Sequence, residues 1–177
     1  MTATFEQAIT AEDSLKVISL ITAMPDGVQA MSASVEGLVE TSLNLGVLTT
    51  EENRVVLEQS VRSSVESSKD HLLRKLGLIA GGYGAEFTIN SRYPGWKFNP
   101  TSALREHMVE VYRRMYGTDP KVEAIHAGLE CGLLSEKIKG LDCISIGPDM
   151  VDIHSPKEKL SVKSTEHVWD YLKEVLR

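Results

Sequence analysis

The chain is poor in the residues that mark several protein classes. It has only two cysteines, Cys131 and Cys143, so no disulfide scaffold is implied and a reducing cytosol is the expected compartment. No apolar run approaches the roughly 18 residues that a membrane span needs. The first residues have neither the basic region nor the apolar core of a secretory signal. No membrane partner is therefore expected.

Basic residues are also in deficit. The sequence has 19 Lys and Arg against 25 Asp and Glu, a net charge of -6, whereas nucleic-acid binders usually carry a basic surplus. Hydrophobic residues make up 42% and charged residues 25% of the 177 positions, which is close to globular averages. These values predict a soluble, mildly acidic, intracellular α/β protein without a nucleic-acid partner.

The first part of the chain alternates between helical and extended patterns. Apolar residues at a helical step predict a first helix, with Asp13 or Ser14 as its N-cap. An extended stretch over 28–35 follows. Alternating apolar residues over 42–48 and 55–62 then predict a β-hairpin with one buried and one polar face.

A second helix and a fourth strand are predicted next. Ser63 or Ser64 is the expected cap of this helix, and the glycine cluster at 81–84 ends it. Residues 85–90 alternate like a strand, and an apolar stripe over 104–115 predicts another helix. The order α-β-β-β-α-β favours antiparallel strands with helices on one face, which is close to a ferredoxin-like α+β layer.

The pattern changes after Gly117. Short apolar strands are predicted at 122–125 and 141–146. A short helix is predicted between them at 133–138, and a final helix at 168–176. This rhythm is typical of a parallel α/β layer. We therefore place a domain boundary near residue 117, dividing the chain into 1–117 and 118–177.

Two histidines occupy positions where chemistry is expected. His126 and His154 each follow a predicted α/β strand, at the sheet edge where open parallel sheets bind ligands. His154 lies in a long polar loop, where a neutral imidazole could bind a metal with Asp149 or Asp152 as ligand or supporting residue. No paired metal-binding motif accompanies His154, so spacing alone favours an ordinary surface histidine.

The turn at 128–132 joins a predicted strand to a helix. Its backbone N–H groups could bind an anion or a carbonyl oxygen, although its glycines equally suit a tight turn. Glu130 is a candidate ligand or base, or only an acid favoured by the helix dipole. Cys131 stands where a helix terminus can lower a thiol pKa, but no base and orienting group complete a nucleophilic site around it.

Arg62 ends a predicted strand on its polar face. A guanidinium on a rigid element suits bidentate binding of a carboxylate or phosphate. The alternative is an ordinary exposed arginine. Asn44, on the polar face of the partner strand, is expected nearby.

Several separate motifs, agreeing in order and spacing, carry a resemblance to a known family. They lie at 25–28, 39–45, 61–64, 93–96, 124–134, 141–148, 152–156 and 160–162. These stretches resemble the aminoacyl-histidine (Xaa-His) dipeptidases, also called cytosolic non-specific dipeptidases, of peptidase family M20. In that family a smaller lid domain interrupts an α/β catalytic domain. The resemblance implies that 1–117 is part of the lid and 118–177 the end of the catalytic domain.

The resemblance also implies roles for three residues. His154 matches a metal ligand, Arg62 matches the lid arginine that binds the substrate's terminal carboxylate, and Gly128 matches a glycine turn that contacts substrate through its backbone. It further implies a dipeptide substrate, a cytoplasmic location and two zinc ions in the intact enzyme, with Co or Mn as other suitable ions. It leaves a homodimer open.

The remaining metal ligands and the general base of the family have no counterpart in this sequence. A dinuclear hydrolase needs several ligands and a base that activates water. We therefore expect the C-terminal part of a longer dipeptidase, inactive by itself. The alternative is a non-catalytic α+β module that self-associates, motivated by the ferredoxin-like order over 12–116 and the incomplete site.

Overall fold

The computed structural model describes residues 8–127 and 130–177. These residues divide into two compact units, one with 8–97 and 125–127 and the other with 98–124 and 130–177. The elements are α1 (Ala11–Ala23), β1 (Gly27–Met31), β2 (Val39–Thr50), β3 (Val55–Ser63), α2 (Glu66–Gly82), α3 (Ala103–Tyr116), α4 (Glu130–Lys137), β4 (Met150–Val151), β5 (Lys159–Leu160) and α5 (Val162–Val175).

The first unit is built on a three-stranded antiparallel sheet in the order β1-β2-β3. Strands β2 and β3 pair from Thr41 opposite Ser63 to Thr50 opposite Val55. The Glu51 N–H closes the turn by donating to the Arg54 carbonyl at 2.8 Å. The predicted hairpin is confirmed, and both strands extend beyond their predicted ends.

A β-bulge interrupts this hairpin at Gly46, where the register shifts between Leu45 and Val47. The Leu45 N–H donates to Asp26 Oδ1 at 2.9 Å. Because a bulge adds one residue to one strand, the alternation of faces changes beyond it. Leu43 is buried, whereas Val47 is 49% exposed. The apolar residues Leu43, Leu45 and Val47 are predicted to share one face, and this common face therefore extends only as far as the bulge.

Helix α2 supplies most of the core of this unit. Leu43 packs with Leu72 and Leu76, and Met24 and Val61 line the same cluster. A helix that buries one apolar stripe on a sheet is a standard two-layer arrangement. The cluster fixes β2 and β3 against α2.

Helix α1 has a weaker connection to the core. None of its described residues is buried, and Leu15 and Ile18 are 65% and 61% exposed. Helical spacing correctly predicts the helix, but its apolar stripe remains open among the described residues. Spacing reports an apolar face and not what covers that face.

The predicted helix caps are wrong for α1 and α2. Thr10 caps α1, because its Oγ1 accepts the Asp13 N–H at 3.1 Å. Val65 stands at the cap of α2 and makes no side-chain cap bond. Ser63 still belongs to β3, and its Oγ accepts the Val65 N–H at 3.1 Å.

Residues 85–90 do not form the predicted fourth strand. The chain turns after α2, where the Ala85 N–H donates to the Ala80 carbonyl at 2.9 Å. The Phe87 ring then lies over Gly77, where an added Cβ would approach Phe87 Cδ1 to 3.2 Å. Because Phe87 packs on α2, this segment does not extend the sheet. The mixed α/β class is confirmed, without the last strand of a ferredoxin-like layer among the described residues.

The second unit is centred on the packing of α3 against α5. Its hydrophobic cluster contains the buried residues Met108, Val111 and Tyr171. The Tyr171 hydroxyl donates to the Met108 carbonyl at 2.6 Å, and its ring meets Tyr112 edge-on at 5.5 Å. Tyr171 is the buried residue of α5, and it lies within the final helix predicted at 168–176.

The predicted strands at 122–125 and 141–146 belong to neither of the two described sheets. A strand requires a partner for its backbone ladder. The described part of this unit instead has a short antiparallel pair, β4 with β5. The parallel layer is therefore wrong for the described residues, while the boundary near residue 117 stays a prediction. No helix in the described ranges is long and apolar enough to cross a membrane.

Candidate functional site

Arg62 projects from the end of β3, and its side chain is exposed. Its directly opposite partner on β2 is Ser42. Directly opposite residues of an antiparallel pair share a face, with Cβ atoms about 4.5–5.5 Å apart. Asn44, paired with Ser60, is two residues further along the same strand. The predicted proximity of Asn44 therefore holds at the level of strand register.

Close packing holds the strand end that carries Arg62. The hydroxyls of Thr41 and Ser63 lie 2.8 Å apart in a buried pair. A Cβ at Gly95 would lie 2.5 Å from the Ser63 carbonyl oxygen and 2.9 Å from that of Ser64. Only glycine allows the loop at 91–97 to approach β3 this closely. The loop thus packs directly against the end of the strand that carries Arg62.

A buried lysine fixes the same loop. Lys69 Nζ donates to the Tyr93 carbonyl at 2.7 Å and lies 2.6 Å from a carboxylate oxygen of Glu66. Arg92 pairs with Glu66 at 2.9 Å and also with Asp70. Burial acts to raise the pKa of Glu66, but hydrogen bonds and charges from Lys69 and Arg92 lower it overall. These contacts tie the loop to α2.

His126 is brought to the polar face of the hairpin. Its Nε2 lies 2.7 Å from Ser42 Oγ, and the residue is half-buried. Burial lowers the pKa of His126, the positive charge of Arg62 lowers it further, and a hydrogen bond with the Val39 backbone acts in the opposite direction. Sequence reasoning singled out His126 but missed Ser42, whose only signal was its place on the polar face.

His154 occupies an exposed loop between β4 and β5. Its φ is 64° and that of Asp152 is 54°, values that are uncommon outside glycine but less so for Asp and His. The His154 N–H donates to Glu158 Oε2 at 2.8 Å. His154 thus stands at a turn within the loop that the sequence predicts.

The described residues do not complete a metal site. Within 8–127 and 130–177, no group of three or more His, Cys, Asp or Glu side chains is placed to hold an ion. A zinc site needs at least three protein ligands. His154 can therefore supply one ligand, but these residues do not form a complete zinc site.

The turn at 128–132 is described only in part. Gly128 lies outside the described residues, so its proposed contact with substrate stays a prediction. Glu130 begins α4. Burial raises the pKa of the Cys131 thiol, and the neighbouring Cys143 adds to this effect. The expectation of a low thiol pKa is wrong, which agrees with the absence of a cysteine-nucleophile pattern in the sequence.

Comparison with known proteins relates the chain to the peptidases. No family model matches it. Over 170 residues it is 36% identical to the cytosol non-specific dipeptidase of Escherichia coli (strain K12), covering 96% of this chain and 35% of that protein. The aminoacylhistidine dipeptidase of Vibrio alginolyticus superposes with a TM-score of 0.84 at 38% identity, covering 99% of this chain and 36% of that one.

A more distant structure shares the fold. Aminopeptidase PepT from Bacillus cereus superposes with a TM-score of 0.66 at 20% identity, covering 93% of this chain and 45% of that one. The chain is a homologue of the dipeptidases and has the fold of part of one. It spans about a third of the length of the two dipeptidases, 35% and 36%.

Proposed function

We propose that this chain is the C-terminal part of a metal-dependent dipeptidase of family M20, which hydrolyses the peptide bond of Xaa-His or a broader range of dipeptides. Two relatives named as dipeptidases, 36% and 38% identical, support this function. The structural observation that carries it is Arg62, exposed at the end of a strand fixed by the Ser63 and Gly95 contacts.

Arg62 is the proposed anchor for the terminal carboxylate of the substrate. A guanidinium can donate two parallel hydrogen bonds to a carboxylate. Because the strand end is held by its neighbours, the guanidinium would contact the substrate at a fixed distance from the scissile bond. A fixed distance explains selectivity for dipeptides over longer chains.

The metal and the glycine contact complete the proposal. His154 would bind one metal and Gly128 would contact substrate through its backbone. The intact enzyme would hold two zinc ions, with Co or Mn as substitutes, and the other ligands would come from the remaining two thirds of such a protein. We further propose a cytoplasmic location, as in the cytosolic relative, and a homodimer.

A chimera tests the function directly. The matching segment of the Escherichia coli dipeptidase is replaced by this chain, and hydrolysis of Ala-His and Gly-Gly is measured with zinc, cobalt or manganese. The chimera is expected to cleave both dipeptides, whereas the 177-residue chain alone is expected to cleave neither. A folded, metal-loaded chimera without activity, or turnover by the chain alone, would contradict the proposal.

Variants of the chimera separate the proposed roles. Arg62→Gln should lower kcat/KM by about 10- to 100-fold, the usual effect of losing hydrogen bonds to a charged group. His154→Ala should lower metal content, measured by plasma spectrometry. Arg54→Gln is the matched control, because Arg54 lies in the same hairpin but pairs with Glu51 near the turn.

A further inference from the structure

Three polar residues lie close together at the open end of the hairpin. Ser42 and Arg62 lie directly opposite each other on β2 and β3. His126 comes from a stretch 84 positions further along the chain, and its Nε2 lies 2.7 Å from Ser42 Oγ. Since successive side chains of a strand alternate, these groups occupy the face opposite the buried Leu43.

The hydrogen bond to Ser42 indicates the form of the imidazole. A neutral ring with its proton on Nδ1 accepts the serine hydroxyl at Nε2. Burial and the charge of Arg62 lower the pKa of His126, so both favour this neutral form. Without ligand at neutral pH, the positive charge among these three side chains is therefore carried by Arg62.

A bound carboxylate would change this balance. An opposite charge within about 4–6 Å favours the charged form of a titrating group. A carboxylate held by Arg62 would lie beside Ser42, which is hydrogen-bonded to His126. Its negative charge would offset the repulsion between the His126 imidazolium and the Arg62 guanidinium. The protonated Nε2 could then donate to Ser42 Oγ, which frees the serine hydroxyl to donate to the carboxylate.

We propose that Arg62, Ser42 and His126 together bind the terminal carboxylate of a dipeptide, and that His126 takes up one proton from solvent as the carboxylate binds. This inference rests on the proposed function, because the ligand is the carboxylate that Arg62 would anchor. No bond of the ligand is made or broken in this step. The solvent supplies the proton, and Nε2 receives it.

The proton uptake fixes the direction of a pH dependence. The affinity for the dipeptide should rise as the pH falls from the pKa of His126 in the complex to the lower pKa of His126 in the free protein. Among the described residues, His126 is faced by Ser42 and the Val39 backbone from β2, and by the charge of Arg62 from β3. A serine hydroxyl and a backbone group do not titrate in that range, and a dipeptide carboxyl titrates near pH 3.5.

The test uses the full chain labelled with 15N-histidine. The pKa of His126 is measured by NMR between about pH 5 and 8, the range of an ordinary histidine. The pKa is measured for the chain without ligand, with glycylglycine, and with glycylglycinamide. Glycylglycinamide has the same amino group but no carboxylate. Glycylglycine should raise the pKa by about one unit and bind about tenfold tighter at the low end of the range. Glycylglycinamide should do neither.

Variants show which group is responsible. His126→Gln should bind glycylglycine no more tightly at low pH than at high pH, and Ser42→Ala should reduce the rise in pKa. His71→Gln is the control, because His71 lies on α2 and not in this cluster. The wild-type pKa measurement keeps the test decisive even if a variant does not fold.

The outcomes separate the two proposals. If Arg62→Gln abolishes binding of glycylglycine but the ligand leaves the pKa of His126 unchanged, the role of His126 is overturned and the proposed function stands. If Arg62→Gln binds glycylglycine as tightly as the wild type, Arg62 is not the anchor, and the inference is overturned together with that part of the proposed function.

Discussion

Arg62 and His154 are two of the residues proposed to contact substrate or metal, and their surroundings differ sharply. Arg62 ends a strand that is paired along its length, backed by the Leu43 core and contacted by the Gly95 loop. His154 lies in an exposed loop, where its own N–H donates to Glu158 Oε2. The chain holds one of these residues by packing and the other by local backbone geometry.

This difference follows from what each role requires. A carboxylate anchor can be built within one hairpin, because one guanidinium and its neighbours suffice. A metal site needs at least three ligands, and His154 provides one of them. Substitutions in the core of the first unit should therefore disturb Arg62, whereas substitutions near His154 should stay local.

The largest effect is expected from Leu76→Ala. Leu76 is 1% exposed in the cluster behind the hairpin, and such truncations cost about 2–5 kcal/mol. Chemical denaturation measures the loss, and the NMR signals of Ser42 and Arg62 should shift with it. Leu78→Ala is the matched control on the same helix, because Leu78 is 79% exposed. Equal losses in both variants would refute the assigned core.

Gly95→Ala should have the next largest effect. The new Cβ would lie 2.5 Å from the Ser63 carbonyl oxygen, and relieving such overpacking typically costs about 1–3 kcal/mol. Thermal unfolding gives the stability, and glycylglycine binding reports the displacement of Arg62. Gly147→Ala should be close to neutral, since nothing lies within 4 Å of its added Cβ. A neutral Gly95→Ala would remove the evidence for a fixed strand end.

The second unit should lose stability in acid through Asp142. Hydrogen bonds from the Leu104 N–H and then the Ser102 hydroxyl lower the pKa of Asp142. A lowered folded-state pKa means that stability is present above the unfolded value of about 3.9 and is lost as pH falls below it. Asp142→Asn should flatten this slope in acid denaturation of the second unit, and Ser102→Ala should flatten it less. An unchanged slope in Asp142→Asn would contradict the assignment.

The smallest effect is expected beside His154. Glu158→Ala removes the acceptor of the His154 N–H, and an exposed hydrogen bond contributes about 0.5 kcal/mol. Glu158→Gln keeps an acceptor oxygen and should leave stability unchanged. Urea denaturation of both variants measures the difference. A loss comparable to that of Leu76→Ala would show that the loop is more than locally held.

The parts of the fold predictable from sequence are those with local signals. The hairpin combines alternating residues with a polar turn, and its glycine at position 46 is a typical sign of a bulge. The segment at 85–90 also alternates and is predicted as a strand, yet Phe87 packs on Gly77 of α2 instead. Alternation alone cannot reveal that preference, because it depends on the tertiary position of α2.

The candidate site shows the same limit. Arg62 could be selected from its strand position and from the family resemblance, and His154 from its loop. The contact between Ser42 and His126 joins residues 84 positions apart, and no periodicity connects them. Tyr171 was missed because its hydroxyl finds a backbone partner in the core, which allows a polar aromatic residue to be buried.

The bulge at Gly46 also bears on how this hairpin could vary in length. It separates the turn from the strand ends that carry Ser42 and Arg62. The strand pairing around Ser42 and Arg62 therefore has a different register from the pairing next to the turn. Insertions or deletions near the turn would alter the distal strands while leaving the cross-strand pair in place, because exposed loop tips tolerate such changes. The distal hairpin is therefore a suitable place for grafted sequences or reporter tags.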